Sequence, residues 1–390
     1  MRVHGRLPNE LETLALRAAT LPGAEAIGAW ERFLDLAGGL DAVSGASFAA
    51  LPAAYRNLAR QGGEVPELAR LKGIYRQTWF RNQVLVREAS SVVAALAAGG
   101  CRPLLLKGGA IVAAYDSDLG VRPMGDIDVL VPYAQAERAA AVVVGLGWTN
   151  RDPIRAAPRG GASEATRLRR TIRYSHGVGF ESPRGANVDL HWLSLMENPQ
   201  PSADDGLRRT ARPETLGGIA CLVPSPEEML VHVSVHGLRW VGPPTLTWAL
   251  DAAAIVRATP EFDWDEAVAA ARARRVAGIV HDAWEYLAAN LDLPIPKFAL
   301  GATRDTSRLS LSDRVVRWSR PGERPARRIW AVRVTSYLGA SSAWPPHRRI
   351  WNVPDYVCHT WGLEHCRSIP GEFVRRVVGL RSAATRRPRP

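Results

Sequence analysis

Lysine is nearly missing from this chain. Of 50 basic residues among 390, only Lys72, Lys107 and Lys297 are lysines, and the rest are arginine. That skew, beside abundant alanine, is what a GC-rich genome writes throughout a protein. The net charge of +12 therefore argues for attraction to anionic substrates in general, and no stable DNA complex is expected from it. Cysteine is sparse too. Cys101, Cys221, Cys358 and Cys366 are scattered, which fits a reducing compartment better than a disulfide framework. Cys358, His359, His365 and Cys366 lie close in sequence but lack Cys-x-x-Cys pairing, so they are not read as a zinc site. No apolar run approaches the roughly 18 residues of a membrane span. Glu10 and Glu12 fall where a signal peptide needs an apolar core, so a cytoplasmic location is expected.

What is present in ordinary amounts, 46% apolar and 23% charged residues, describes a globular chain long enough for two or three lobes. Its most informative stretch runs from Leu104 to Val131. Leu104-Leu105-Leu106, then Lys107-Gly108-Gly109, then Ala110 to Tyr115 read as strand, tight turn and helix start. Gly125-Asp126-Ile127-Asp128-Val129-Leu130-Val131 reads as a second strand. Alternation puts Asp126 and Asp128 on one side, about 6–7 Å apart, with Ile127 and Val129 in the core. Two such carboxylates repel unless a cation sits between them, and Mg²⁺ suits that gap because it accepts a few carboxylates plus substrate phosphates. Gly108 and Gly109 allow backbone N–H groups to approach an anion at a helix N-terminus. On this reading a methyl added at Gly109 blocks a bound triphosphate.

The order of glycines, helix and Asp-x-Asp strand resembles the nucleotidyltransferase superfamily that includes DNA polymerase beta. Leu106-Lys107-Gly108-Gly109, with Val121-Arg122-Pro123-Met124-Gly125-Asp126-Ile127-Asp128-Val129-Leu130-Val131-Pro132, is similar to an uncharacterised bacterial nucleotidyltransferase family within it. The resemblance extends over residues 100 to 255, through Asn187-Val188-Asp189-Leu190-His191-Trp192 and Thr247-Trp248-Ala249-Leu250-Asp251. It implies an α+β fold in which a small mixed β-sheet nucleotidyltransferase core is flanked by helical N-terminal and C-terminal lobes. It also implies a metal-dependent enzyme that moves NMP from an NTP, ATP among them, to a hydroxyl-bearing acceptor of unidentified class: a small molecule, a protein or RNA. Asp126, Asp128 and Asp189 are then the catalytic and metal-binding residues for two Mg²⁺ ions, or Mn²⁺. Lys107, Gly108, Gly109 and Arg122 hold the phosphates. The alternative is a non-catalytic nucleotide-binding or assembly module, of the kind suspected in surface-polysaccharide synthesis. A sugar-nucleotide glycosyltransferase fits less well, since only helical sequence precedes Leu104, and Leu130 occupies the place of the Thr that an Asp-x-Asp-x-Thr phosphatase needs.

The remaining chain divides around this core. Residues 1–100 read as a helical cap: Leu68, Leu71, Ile74, Tyr75, Trp79, Leu85, Val92, Val93 and Leu96 recur at helical spacing before Gly99-Gly100. Its Arg70, Arg76, Arg81 and Arg87 read as a solvated face. The catalytic core spans 101–195. Within it Ala134 to Leu146 is a helix, and Arg151 to Arg170 is a basic loop able to fold over a triphosphate. Thr171–Phe180 and Ala186–Trp192 form two strands joined by Glu181-Ser182-Pro183-Arg184-Gly185. Asp189 and His191 share a face, and His191 is read as orienting Asp189. A helical lobe, 196–320, opens at Ser225-Pro226-Glu227-Glu228, a capped start. Glu228, His232 and His236 share one face there, but the spacing is not that of a zinc protease. Trp264–Leu291 reads as a helical hairpin. Residues 321–390 form a basic, tryptophan-rich region (Trp330, Trp344, Trp351, Trp361) read as a small helical lobe with a frayed tail; contact with an anionic membrane is a weaker reading.

Overall fold

The computed structural model describes residues 7–43, 45–62, 64–151, 161–198, 200–238 and 245–304, with 334, 337–338, 341 and 344–384 beyond them. Its centre is a seven-stranded mixed sheet. The strands are β1 (Leu104–Leu106), β2 (Ile127–Leu130), β3 (Thr149–Asn150), β4 (Gly177–Glu181), β5 (Asn187–His191), β6 (Arg212–Leu216) and β7 (Ile219–Val223), in the order β3-β4-β5-β2-β1-β7-β6. β2 runs antiparallel to β1 and parallel to β5, and β1 runs parallel to β7. Every residue of β1 and β2 is buried, as a continuous apolar run in a central strand requires. The expected α+β class, with helices on both sides of a mixed sheet, is what the chain forms.

Four helices precede the sheet: α1 (Glu10–Thr20), α2 (Gly23–Ala37), α3 (Leu51–Gln61) and α4 (Leu68–Ala98). α1 starts at Asn9, whose side chain accepts from the Glu12 N–H while the Glu12 carboxylate accepts from the Asn9 N–H, each at 2.9 Å. That reciprocal cap satisfies two donors the helix would otherwise leave open. α4 is 31 residues long, roughly 46 Å at 1.5 Å per residue. Its inner side carries Asn82, 1% exposed, which donates to the carbonyls of Leu119 and Arg122 at 2.7 Å. The long helix thus holds the loop that leads into Asp126. Arg56 on α3 pairs with Asp116 at 2.6 Å, and Tyr75 donates to Asp118 at 2.7 Å, fixing the same loop from its other end.

α5 (Lys107–Ala114) follows β1 with no residue between them, and α6 (Ala136–Gly145) follows β2. Residues 164–174 form α7, so the second half of the expected basic loop is helical and Thr171–Tyr174 is not strand. The Ser163 cap, which accepts from the Thr166 N–H, overrides the β-branched pair Thr171-Ile172. The short helix α8 (Asp205–Arg209) leads to the β6–β7 hairpin, whose turn is Gly217-Gly218 with φ of 57° and 80°. Two positive φ values suit a two-residue hairpin turn, so Gly-Gly marks that hairpin in the sequence. The later helices α9 (Pro226–Leu238), α10 (Thr247–Ala258), α11 (Trp264–Ala273), α12 (Ala277–Leu291) and α13 (Lys297–Thr303) pack on one another, and α9 and α10 also pack on α5. One buried apolar cluster runs from Leu14 on α1 through the sheet to Ala299 on α13. No helix among the described residues is long and apolar enough to cross a membrane.

The C-terminal helices α14 (Pro346–Trp351), α15 (Val353–Trp361) and α16 (Ile369–Ala384) attach through α7. Asp355 receives Arg170 and the Tyr174 hydroxyl, each at 2.8 Å, and Glu364 accepts from the Ser163 N–H at 2.6 Å. The tryptophans are not uniformly a core here, since Trp351 is 80% exposed. Trp330 lies outside the described residues.

Candidate active site

The site forms where β2 and β5 lie side by side. Their parallel register sets Asp128 beside Asp189 and Leu130 beside His191, and the pleat turns the two carboxylates to one side. Asp128, Asp189 and His191 bring a ligand-capable atom each to within 4.8 Å of one another. Asp128 is 2% exposed and His191 5%. β4 makes room for them from the other side. Gly177 faces His191 and Gly179 faces Asp189 across the antiparallel ladder. A Cβ at Gly177 would come to 2.6 Å from His191 Nδ1, and one at Gly179 to 2.9 Å from Asp189 Oδ1. The Gly-x-Gly of β4 is therefore a spacing requirement of the site, a signal that pattern reading of one strand at a time misses.

Asp126 precedes β2 and stands outside that three-residue group. It still feels its neighbours. Its carboxyl is pushed up to about 6, by burial first and then by the negative charges of Asp128 and Asp189. Asp128 behaves oppositely. Lys107 Nζ lies 2.5 Å and His191 Nε2 2.9 Å from its Oδ1, and these two partners outweigh burial and hold its carboxyl well below the usual carboxylate range. Of these two aspartates, the expected carboxylate repulsion thus raises Asp126 and not Asp128. The expected contact of His191 with Asp189 is corrected: its Nε2 meets Asp128 instead.

The sign of the Asp126 shift makes a prediction. The folded chain holds this proton more tightly than the unfolded chain, whose aspartates titrate near 3.9. Its contribution is therefore fully present below about pH 4 and is lost as pH rises to about 6. Asp126→Asn should remove that loss, so that without added metal the variant melts above the parent at pH 7 and together with it at pH 4. Melting curves at the two pH values check this, and a variant that melts lower at pH 7 refutes it.

Lys107 reaches Asp128 from the β1–α5 junction, where its φ is +46°. A non-glycine residue there costs about 1–2 kcal/mol, offset by the ion pair it makes. Arg122 is also engaged: its Nε and Nη2 donate to the two oxygens of Asp251 on α10, at 2.6 and 2.9 Å. Asp251 is 2% exposed, and burial pushes its carboxyl up despite the guanidinium beside it. In this arrangement Lys107 and Arg122 hold the site's architecture, with Arg122 Nη1 nearest the Gly108 backbone.

The two glycines face different ways, and neither has positive φ. A Cβ at Gly108 would collide with Arg122 Nη1 and lie 2.7 Å from Met124 Sδ, whereas one at Gly109 would point inward, 3.1 Å from Ile127 Cγ2. The expected steric block at Gly109 is thereby corrected, because its methyl enters the core. Gly108→Ala should displace Arg122 from Asp251, costing about 1–3 kcal/mol, and weaken NTP binding at least about tenfold, or roughly 1.4 kcal/mol. Gly109→Ala should cost at most about 1 kcal/mol and leave binding near the parent value. Calorimetric titration of both variants with NTP decides it, and the reverse ranking refutes it.

Only part of the basic segment is described. Arg151 lies 3.7 Å from Glu181, Arg170 binds Asp355 at 2.8 Å, and Arg167 donates to the Ala162 carbonyl at 2.7 Å. Arg155 and Arg159 are outside the described residues. On α9 the shared face of Glu228, His232 and His236 is present, but Glu228 is taken by Arg274 at 3.3 Å and the two imidazole centres are 6.4 Å apart. His232 is fully buried with neither ring nitrogen paired. Burial, with the positive charges of Arg274 and Lys107, keeps it well below the ordinary histidine range. α9 packs against α5, which carries Lys107.

A family described as uncharacterised nucleotidyltransferase matches residues 48–292. The chain belongs to that family. The match takes in every residue of this candidate site, from Lys107 to Asp251, together with α4 and α9 to α12. No curated protein matches it.

Proposed function

We propose that the chain transfers a nucleotidyl group from an NTP to a hydroxyl-bearing acceptor, in the manner of the DNA polymerase beta-like superfamily. The observation that carries this reading is the convergence of Asp128, Asp189 and His191 within 4.8 Å beside the N-terminus of α5, whose free N–H groups suit phosphate. The donor set fits a divalent ion. It has two carboxylates, one held ionised by its neighbours, and a buried imidazole whose Nδ1 has no partner. Asp128 and Asp189, with Asp126 at the rim, would hold Mg²⁺; the imidazole would also suit Mn²⁺. Such ions, two in this reaction class, would neutralise the triphosphate and acidify the acceptor hydroxyl. The chain's own residues do the rest. Gly108 and Gly109 present backbone N–H groups to the phosphates, Arg122 and Lys107 supply positive charge beside them, and α9 and α10 close the cleft against water.

Incubation with each α-³²P-labelled NTP, Mg²⁺ and a cell extract tests it: label should pass to one size fraction and disappear on chelation. Lys107 favours a second reading. An ammonium on Asp128 stands where a cation would, as in a non-catalytic nucleotide-binding module. NTP binding without label transfer for any of the four NTPs would favour that module.

A further inference from the structure

The outer face of α4 shows what the sequence hid. Trp79 falls on the apolar repeat yet is 45% exposed, and the adjacent Phe80 is 64% exposed. Around them Lys72, Arg76, Arg81 and Arg87 are all exposed. None of these four cations has an acidic partner among the described residues; Arg70 at one end is paired with Glu67 at 3.2 Å, and Glu88 at the other with Arg184 at 2.8 Å. Between Lys72 and Arg87 the helix carries no acid. The face is about 22 Å long at 1.5 Å per residue, in a helix whose inner side holds the active-site loop through Asn82.

At about 100° per residue, Lys72, Arg76 and Arg87 fall angularly between Trp79 on one flank and Phe80 on the other. A helix that lies in a membrane gathers its aromatics into one apolar stripe with cations at the margins. Here the order is inverted, and burying the aromatics in lipid would bury the charges. Cations running between two exposed rings match instead a strand of phosphates with bases free to stack on either side. A double helix keeps its bases stacked inside and leaves the rings without a partner.

We propose that this face of α4 binds a single-stranded polynucleotide. Taken with the transfer reaction, on which this further step rests, the acceptor is then the end of such a strand, led around a helix about 10–12 Å thick to Asp128 and Asp189. The binding itself does not depend on that step.

Anisotropy of a fluorescein-labelled 15-residue oligouridylate against the full chain, between 50 and 200 mM salt, tests the proposal without any transfer reaction. Arg76→Ala/Arg87→Ala should weaken binding at least tenfold and flatten the dependence of log K on log salt by about 1.4, since each phosphate contact contributes about 0.7. Trp79→Ala/Phe80→Ala should weaken it at least tenfold with that slope unchanged. All four side chains are exposed, and unchanged melting curves would show that the variants fold. Three results would overturn the assignment: no binding at 50 mM salt, binding that neither variant alters, or a duplex bound as tightly as the single strand. Anionic phosphatidylserine vesicles that bind the parent and lose affinity for both variants, with oligouridylate unaffected, would assign the face to a membrane. Binding with these properties but no labelled strand after addition of NTP would leave the docking face standing and remove the acceptor step.

Discussion

Asp128→Asn should cost about 3 kcal/mol of stability, the lower end of what breaking a buried ion pair costs, and lower any transfer rate at least about a hundredfold. The stability loss arises because Lys107 Nζ at 2.5 Å and His191 Nε2 at 2.9 Å both rest on one oxygen of a carboxylate that is 2% exposed. Asn keeps the shape and one acceptor but removes the charge that Lys107 neutralises. Lys107→Met in the same background should recover part of the loss, giving a coupling energy by double-mutant cycle. The pH dependence follows from the same contacts. Asp128 is held low, so its contribution is present above about pH 4 and fades as pH falls through its depressed value. Thermal melting of the four proteins and labelled-NTP assays are the measurements. Unchanged melting in Asp128→Asn would mean that the ion pair contributes nothing, and full transfer with an unaltered metal requirement would return the site to the non-catalytic reading.

Removing the carboxylate from the Arg122–Asp251 pair should be worse than removing the guanidinium. Asp251→Leu leaves a buried guanidinium that cannot shed its proton at any pH the protein survives, and about 3–5 kcal/mol should be lost. That is a melting temperature lower by on the order of 5–10 °C. Arg122→Met leaves a carboxyl that burial already pushes up, and it can take a proton and become neutral. Its cost should be smaller at neutral pH and should shrink further as pH falls toward 5. The loop from Leu119 to Met124 keeps Asn82 and its bonds to Asp118 once the pair is gone, but its Arg122 end loses its side-chain anchor and should loosen in both variants. Hydrogen exchange at Val121 to Asp126 would report that loosening. Equal losses in the two variants, independent of pH, would show that the pair acts by packing alone.

Much of this was legible in the residues themselves. The strand at Leu104 and the helix after it, the Asp-x-Asp strand, the second strand ending in His191, the capped start at Ser225 and the hairpin of α11 and α12 are local patterns, although the turn expected at Lys107-Gly108-Gly109 is the first turn of α5. Period, caps and glycine punctuation determine them before any packing occurs. The mixed sheet and the pairing of Asp128 with Asp189 also follow once the family is recognised. What only the tertiary structure decided is which partner each charged group takes. Lys107 and Arg122 are cations beside a phosphate turn in the sequence, but folding sets one on Asp128 and the other on Asp251, 129 residues away. Asp126 and Asp128 are equivalent in an alternating pattern. One acquires a lysine and a histidine and stays ionised, while the other is pushed up to about 6 by burial and then by like charges. Trp79 has the spacing of a core residue and the surroundings of a surface one: Thr78 and Asn82 beside it are buried while Trp79 is 45% exposed, at the margin of the covered face. Periodicity specifies a face of a helix; only the neighbours that arrive from elsewhere in the chain determine whether that face is covered, paired or left open to solvent.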